Sequence, residues 1–380
     1  MKVALVHDWL TGMRGGERCL EAFLDIYPQA DIFTMIHIKG SVSKKIEDRV
    51  KEVSFLSKIP NIKKYYRYFL PFYPLAIKSF DFTGYDLIIS LSHAAAKNIN
   101  KPSNAVHISY IFTPMRYVWD QGKNYFGKLW YVLYPILMFL RKWDKRESKN
   151  VDYFVAISKF VKARVRCFYK RDAVVIYPPC KNKWKVNSQK DFKKGKAFLL
   201  AGAMVPYKYP DVVVKVFSSL NIPLWVIGNG PMKEKLESLS KGNENIKFLG
   251  RVSDEEFSYY YQNARALIFT GKEDFGIIPI ECLASGRPVI GLYDGGLKET
   301  IKGICYWKEK DVTIQSTMKS GVYIKKKGDR EKNLKEALNF FIENEDKFLP
   351  QNCINQAQKF LEDNFKSNWN NFIKSVYKSC

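Results

Sequence analysis

The chain has 380 residues, 46% hydrophobic and 26% charged; it outgrows a single hydrophobic core, points to two domains and excludes wholesale disorder. Lys and Arg number 62 against 38 Asp and Glu, a formal net charge of +24. That surplus suits an anionic partner: nucleic acid, a phosphorylated small molecule or an acidic membrane face. The seven cysteines form no CxxC pair and the four histidines no HExxH. A zinc ribbon is thereby excluded, a disulfide framework is a poor fit, and no metal site is expected.

In chain order, short apolar runs alternate with longer amphipathic stretches, the pattern of parallel sheets covered by helices, so the fold class is α/β. Strand candidates in the first half are 2–6, 32–35, 87–90, 105–110, 153–156 and 174–176. The opening apolar run is too short for a signal peptide and reads as a buried first strand. His7 and Asp8 follow it, with core and turn roles both open. Residues 129–140 (LWYVLYPILMFL) are the most apolar window, bounded by Lys128 and Arg141-Lys142. At twelve residues the window is well short of the roughly 20 needed to cross a bilayer. It reads either as a buried helix or as one lying in a membrane interface, with Trp130, Tyr131 and Tyr134 at headgroup depth. The aromatic stretch 65–72, beside Lys63, Lys64 and Arg67, invites the same pair of readings.

Pro178-Pro179 and the Lys-rich stretch 181–196 read as a linker. Beyond it, strand candidates are 197–201, 224–227, 246–248, 266–269, 288–291 and 321–324, followed by helices from Arg330 onward. The expected domains are 1–180, on the acceptor side; 197–350, on the nucleotide side; and a C-terminal helix, 351–380, returning to the first domain. Residues 141–196 carry 18 Lys or Arg against 5 Asp or Glu. The run is either a solvated face or a surface held near anionic lipid headgroups.

The strongest local signal runs from Thr270 to Ile290. It reads as a strand end, a Gly-containing loop, a helix stopped at Gly286, and another strand. Glu273 thus lies past the carboxyl end of a parallel strand, where open α/β sheets bind ligands. Phe275, Gly276 and Ile277 present backbone N–H groups at a helix start, a ready anion site. Glu281 comes eight residues after Glu273. Two carboxylates beside an anion site suit a ligand that carries hydroxyls as well as phosphate; two ordinary surface acids are the plainer alternative.

Glu273 and Glu281, with Phe275-Gly276 and Pro279, resemble the E-x7-E signature of retaining glycosyltransferases of family 4, which have the two-domain GT-B fold. Further segments match in the same order: Val205-Pro206-Tyr207-Lys208, Gly228-Asn229-Gly230-Pro231, Gly250-Arg251-Val252-Ser253, Gly295-Gly296-Leu297-Lys298-Glu299-Thr300, and the N-terminal Gly15-Gly16-Glu17. Two more, 90–97 (SLSHAAAK) and 113–120 (TPMRYVWD), are similar to the branch of mannosyltransferases that extend lipid-linked O-antigen and capsule precursors.

The resemblance implies two Rossmann-like parallel-sheet domains facing across a cleft, with C-terminal helices crossing back to the first. It implies that Glu281 holds the ribose of a nucleotide-sugar donor and that Glu273, with the amides of Phe275, Gly276 and Ile277, faces the transferred hexose. Lys208 is implied to neutralise the donor diphosphate, making Lys208 and Glu273 the catalytic pair. Gly15 and Gly16 are implied to approach the same phosphates. His93, Phe112 and Arg116 are the acceptor-side candidates. No cofactor or metal is implied. The implied partners are a nucleotide-sugar donor, GDP-mannose for this branch, a lipid-linked or oligosaccharide acceptor, and an anionic membrane surface, with no nucleic acid. The implied location is cytoplasmic, at the inner leaflet of the cell membrane.

Three departures from the family pattern stand out. Ala203 occupies the position of an arginine five residues before the lysine. Phe112, which cannot exchange a proton, stands where the branch has histidine. Residues 303–320 form an unusually long connection. Two other readings follow: a GT-B-fold sugar-nucleotide epimerase, or a catalytically silent GT-B scaffold protein.

Overall fold

The computed structural model describes residues 1–180, 195–308 and 318–378; most of the expected linker and half of the 303–320 connection lie outside them. Two compact units form, one from Met1–Pro179 with Phe365–Cys380, the other from Cys180–Asn364.

The first unit is built on seven parallel strands: β1 (Val3–Leu10), β2 (Asp31–His37), β3 (Val50–Val53), β4 (Leu87–Ser92), β5 (Val106–Ile111), β6 (Tyr153–Ala156) and β7 (Val174–Val175). Their order is β3-β2-β1-β4-β5-β6-β7, so the direction of winding reverses between β1 and β4. In register, Ala4 of β1 pairs with Asp31 on one side and Ile88 on the other. Strand β1 runs four residues past the end expected from its apolar run. His7 and Asp8 interrupt the apolarity yet are fully buried in the strand. The edge strand β3 reads VKEV and alternates too weakly to be seen in the sequence. The core under this sheet gathers Ala4, Val6, Phe33, Met35, Ile88, Tyr73, Leu140 and Trp143.

The C-terminal segment is two helices rather than the one expected over 351–380. Pro350–Gln358 stays with the second unit, where it packs on the helix Ile277–Ala284. Residues 359–361 break the run, because Phe360 turns in against Phe275 at 5.6 Å between ring centroids and Leu361 bridges to Cys180. The second helix, Glu362–Lys378, buries Phe365, Trp369 and Val376. Trp369 meets Phe23 edge-on at 4.6 Å, and its Nε1 donates to the Tyr27 hydroxyl at 3.0 Å.

The second unit repeats the plan with β8 (Ala197–Ala201), β9 (Leu224–Ile227), β10 (Ile246–Gly250), β11 (Ala264–Phe269), β12 (Val289–Leu292), β13 (Gly303–Ile304) and β14 (Gly321–Ile324). All are parallel in the order β10-β9-β8-β11-β12-β14-β13, reversing between β8 and β11. Phe198, Val213, Phe217, Ile268, Leu338 and Phe341 centre its core. Ligands of open parallel sheets collect outside the carboxyl ends of the strands at such reversals.

Candidate functional site

In the second unit, the loops leaving β8 and β11 meet at the reversal. Thr270 Oγ1 donates to the Lys208 carbonyl at 2.6 Å, tying one loop to the other. Lys208 Nζ then lies 2.8 Å from Glu273 Oε1, both side chains about one-fifth exposed. Lys208, Gly202, Thr270 and Gly271 line a pocket open to solvent. The Glu273 backbone is pinned from the far side, where Gly296 N–H donates to its carbonyl at 2.8 Å. A Cβ at Gly295 would stand 2.3 Å from that carbonyl oxygen, so the paired glycines are the condition for this approach.

Gly276, at φ +96°, ends the loop in a conformation that a side chain would strain, and the helix Ile277–Ala284 starts without a side-chain cap. Phe275 is buried against Phe360, so its side chain is a packing group and only its backbone faces a ligand role. Glu281, one turn into the helix, is 9% exposed and accepts a hydrogen bond from the buried Tyr261 hydroxyl at 3.1 Å. Tyr261 carries no motif signal and Thr270 only opens the 270–290 segment; their contacts reveal them as the groups that position Glu281 and Lys208. Ala203 adds no second cation to the β8 loop, which carries Lys208. Lys272, next to Glu273, reaches Asp294 at 3.8 Å, as does Lys326 at 3.0 Å.

In the first unit, β1, β4 and β5 end around Asp8. Its fully buried carboxylate accepts the backbone N–H groups of His93, Ala94, Ala95 and Ala96 at 2.6, 2.9, 2.7 and 2.7 Å. His93 Nδ1 lies 3.1 Å from the same carboxylate. The rings of His7, His93 and Phe112 sit 6.0–6.5 Å apart, with Trp9 edge-on to His93 at 4.3 Å. His7 Nδ1 is 3.0 Å from the Trp9 carbonyl, while its Nε2 meets no hydrogen-bond partner among the described residues. Burial, reinforced by His93, pushes the His7 pKa down to about 4. Gly15 opens the helix Gly15–Ile26. Gly16 is where it is for space: a Cβ there would press within 3.2 Å of His7 Nε2 and 3.5 Å of the Phe112 ring. Arg116 is half-buried at the start of the turn Arg116–Trp119.

Much of the 90–97 and 113–120 signal is framework. Asp144 gathers Lys97, Asn98 (3.0 Å), the Trp119 indole (2.7 Å) and the Tyr169 hydroxyl (2.7 Å) in one buried network. Arg164 binds Thr113 and grips Asp120 with two bonds of 2.9 Å. What remains at the sheet's carboxyl edge is His93, Phe112 and Arg116.

The helix Leu129–Glu147 has two faces. Leu137, Leu140 and Trp143 are buried, whereas Tyr131, Val132 and Phe139 are 64–75% exposed. Tyr68 and Phe72 of the earlier aromatic stretch, and Leu75 just beyond it, are exposed as well. Among the described residues no helix is long and apolar enough to cross a membrane. Among them, too, no group of three or more His, Cys, Asp or Glu could hold a metal ion.

Residues 182–360 match the family model "Glycosyl transferases group 1". The chain is 29% identical over 164 residues to an uncharacterized glycosyltransferase of Methanocaldococcus jannaschii, covering 42% of this chain and 46% of that protein. It is 29% identical over 98 residues to O-antigen chain mannosyltransferase C of Escherichia coli, covering 24% and 26%. These matches span half or less of the relatives' own length. The crystal structure of Anabaena Alr3699/HepE in complex with UDP superposes with a TM-score of 0.71 at 15% identity, over 99% of this chain and all of that one. The same protein is also solved with UDP-glucose, at a TM-score of 0.68. The two parallel-sheet units are therefore the fold of these solved structures, the α/β architecture the sequence led one to expect.

Proposed function

We propose that the protein is a retaining hexosyltransferase that moves mannose from GDP-mannose to a lipid-linked glycan acceptor during surface-polysaccharide synthesis, at the inner face of the cell membrane. The observation that carries the transferase reading is the Lys208–Glu273 pair, with Glu281 on the next helix, at the β8/β11 reversal inside the family-matched stretch. A departing nucleoside diphosphate gains negative charge as the glycosidic bond breaks, so a fixed cation stabilises the transition state more than the ground state. Lys208 is the residue we assign that role, and chelator is expected to leave transfer unchanged. Glu281, oriented by Tyr261, accepts the ribose hydroxyls. Glu273 and the first amides of the helix Ile277–Ala284 face the hexose.

Mannose is favoured by the branch resemblance and by the Escherichia coli relative's name. The Anabaena complexes favour a second reading, with UDP-glucose as donor. Thermal shift with GDP-mannose, UDP-glucose and UDP-N-acetylglucosamine separates the two, because the ligand that binds raises apparent stability by mass action. Conversion of a nucleotide sugar with no acceptor present would instead identify an epimerase, and failure of all three to bind would identify a silent scaffold. NMR of the product's anomeric centre tests retention.

A further inference from the structure

A site that binds a nucleotide sugar must also release the nucleoside diphosphate, and the two ligands differ at one end. We propose that Glu273 sets the preference between them: by holding the Lys208 cation it makes the crevice favour the intact donor over the free diphosphate; this rests on the transferase reading above. Lys208 Nζ lies 2.8 Å from Glu273 Oε1, and among the described residues it meets no other carboxylate. Both side chains are about one-fifth exposed, so a ligand can reach the pair while water screens it only in part. Neither partner can swing far. The Lys208 carbonyl accepts from the Thr270 hydroxyl at 2.6 Å, and the Lys208 N–H donates to the Val205 carbonyl at 3.1 Å. The lysine stem lies along Gly271, where a Cβ would stand 3.0 Å from Lys208 Cγ. Glu273 is fixed through its own carbonyl by Gly296.

A phosphate oxygen that accepts from Lys208 Nζ at about 3 Å therefore lies within about 6 Å of Glu273 Oε1. That is inside the Debye length of about 8 Å at physiological salt, so phosphate and carboxylate repel each other. No second cation in the β8 loop offsets this, because position 203 is alanine. Lys272 and Lys326 are both drawn to Asp294, at 3.8 and 3.0 Å. The two ligands then meet Glu273 differently. In the donor the terminal phosphate is esterified to the hexose, whose hydroxyls donate to the carboxylate and replace the partner it loses when Lys208 turns to the phosphates. In the free diphosphate that ester oxygen is an ionising one, with a phosphate pKa of about 6, and no hydroxyl stands between it and Glu273. The product thus brings added negative charge toward an unsatisfied carboxylate. It also follows that Lys208 adds little to ground-state affinity, since Glu273 meets its charge until cleavage adds charge to the diphosphate.

The test is isothermal titration of wild type and Glu273→Gln with GDP, UDP, GDP-mannose and UDP-glucose, without acceptor. Gln keeps the shape and removes the charge. Affinity for the nucleoside diphosphate should rise about tenfold, the lower end for one charge-assisted hydrogen bond, while affinity for the matching nucleotide sugar stays level or falls. The same change made in a Lys208→Ala background should give no gain, because the cation it would release is gone. A gain below threefold in the single variant, an equal gain for diphosphate and nucleotide sugar, or a gain that survives the loss of Lys208 overturns the proposal. If Glu273→Gln melts below wild type, Glu273→Ala replaces it under the same expectation. Should wild type bind no nucleotide, the transferase reading fails by itself. Inorganic pyrophosphate then judges the pair: tighter binding by Glu273→Gln that depends on Lys208 supports it, and equal binding by both proteins, or binding by neither, overturns it.

Discussion

Lys208 and Glu281 sit one loop apart and are expected to fail differently. Lys208 meets charge that develops during bond cleavage, so Lys208→Ala should lower turnover by about 10²–10³ while changing donor affinity much less. Equal, small changes in both parameters would make Lys208 a bystander that merely pairs with Glu273. Glu281 acts on the bound nucleotide in its ground state. Glu281→Gln should therefore cost on the order of 1.5–3 kcal/mol of nucleoside diphosphate affinity, as lost charge-assisted hydrogen bonds do. Isothermal titration decides it, and unchanged affinity removes Glu281 from the ribose. Neither variant should disturb the fold, since both side chains lie at a strand-end crevice rather than in the Phe198–Phe341 core.

At the scale of one element, the helix Leu129–Glu147 makes opposite predictions for its two faces. Leu140 is fully buried beside Trp143 and the sheet, so Leu140→Ala should destabilise the first unit by about 2–5 kcal/mol. Tyr131, Val132 and Phe139 point away from that core, and changing all three to Ser should leave stability nearly unchanged. The same triple change should abolish flotation with anionic vesicles. Apolar side chains entering the headgroup zone, and cations such as Lys128 and Lys142 above them, give reversible anchoring only together. Wild-type protein that ignores anionic vesicles at low salt would contradict a membrane role for this face and leave the Lys208 site untouched.

At the scale of the molecule, the first unit is closed by residues from the far end of the chain. Trp369 is fully buried against Phe23, 346 positions earlier. Trp369→Ala should cost about 3–5 kcal/mol, read as a lower melting transition for that unit alone, and a uniform shift of both units would contradict the division. The units should also part company with pH. All four histidines lie in the first unit. Burial holds His7 down to about 4 and His107 down to about 3. Once unfolded, both take protons near 6.5, so their contribution to stability is complete above 6.5 and is lost progressively as pH falls toward their folded values. The urea midpoint of the first unit should fall between pH 7 and 5 while that of the second stays level; a flat profile for both refutes the buried neutral histidines.

Local pattern by itself determined the class and most of the strands. An apolar run of four to six residues bounded by Gly, Pro or Asn has one economical use in a long chain, a buried parallel strand, and β6, β8, β9 and β14 appear where the sequence places them. The spacing of Glu273, Gly276 and Glu281 also puts them on one loop and helix, because a loop–helix segment keeps its own residues close. What spacing could not show is which distant groups complete them. Thr270 binding Lys208, Tyr261 binding Glu281 and Asp8 ringed by the amides of 93–96 are contacts between separate strand ends, set by sheet order rather than by local pattern. Buried polar residues mislead for the same reason. His7 and Asp8 look like a strand's end until the fold supplies partners for Asp8, and Lys97 and Trp119 stand in segments that carry the family resemblance until Asp144, arriving from another helix, shows them to be framework. A polar group can be buried only where its hydrogen bonds are met, and that condition is settled by the neighbours that tertiary packing brings.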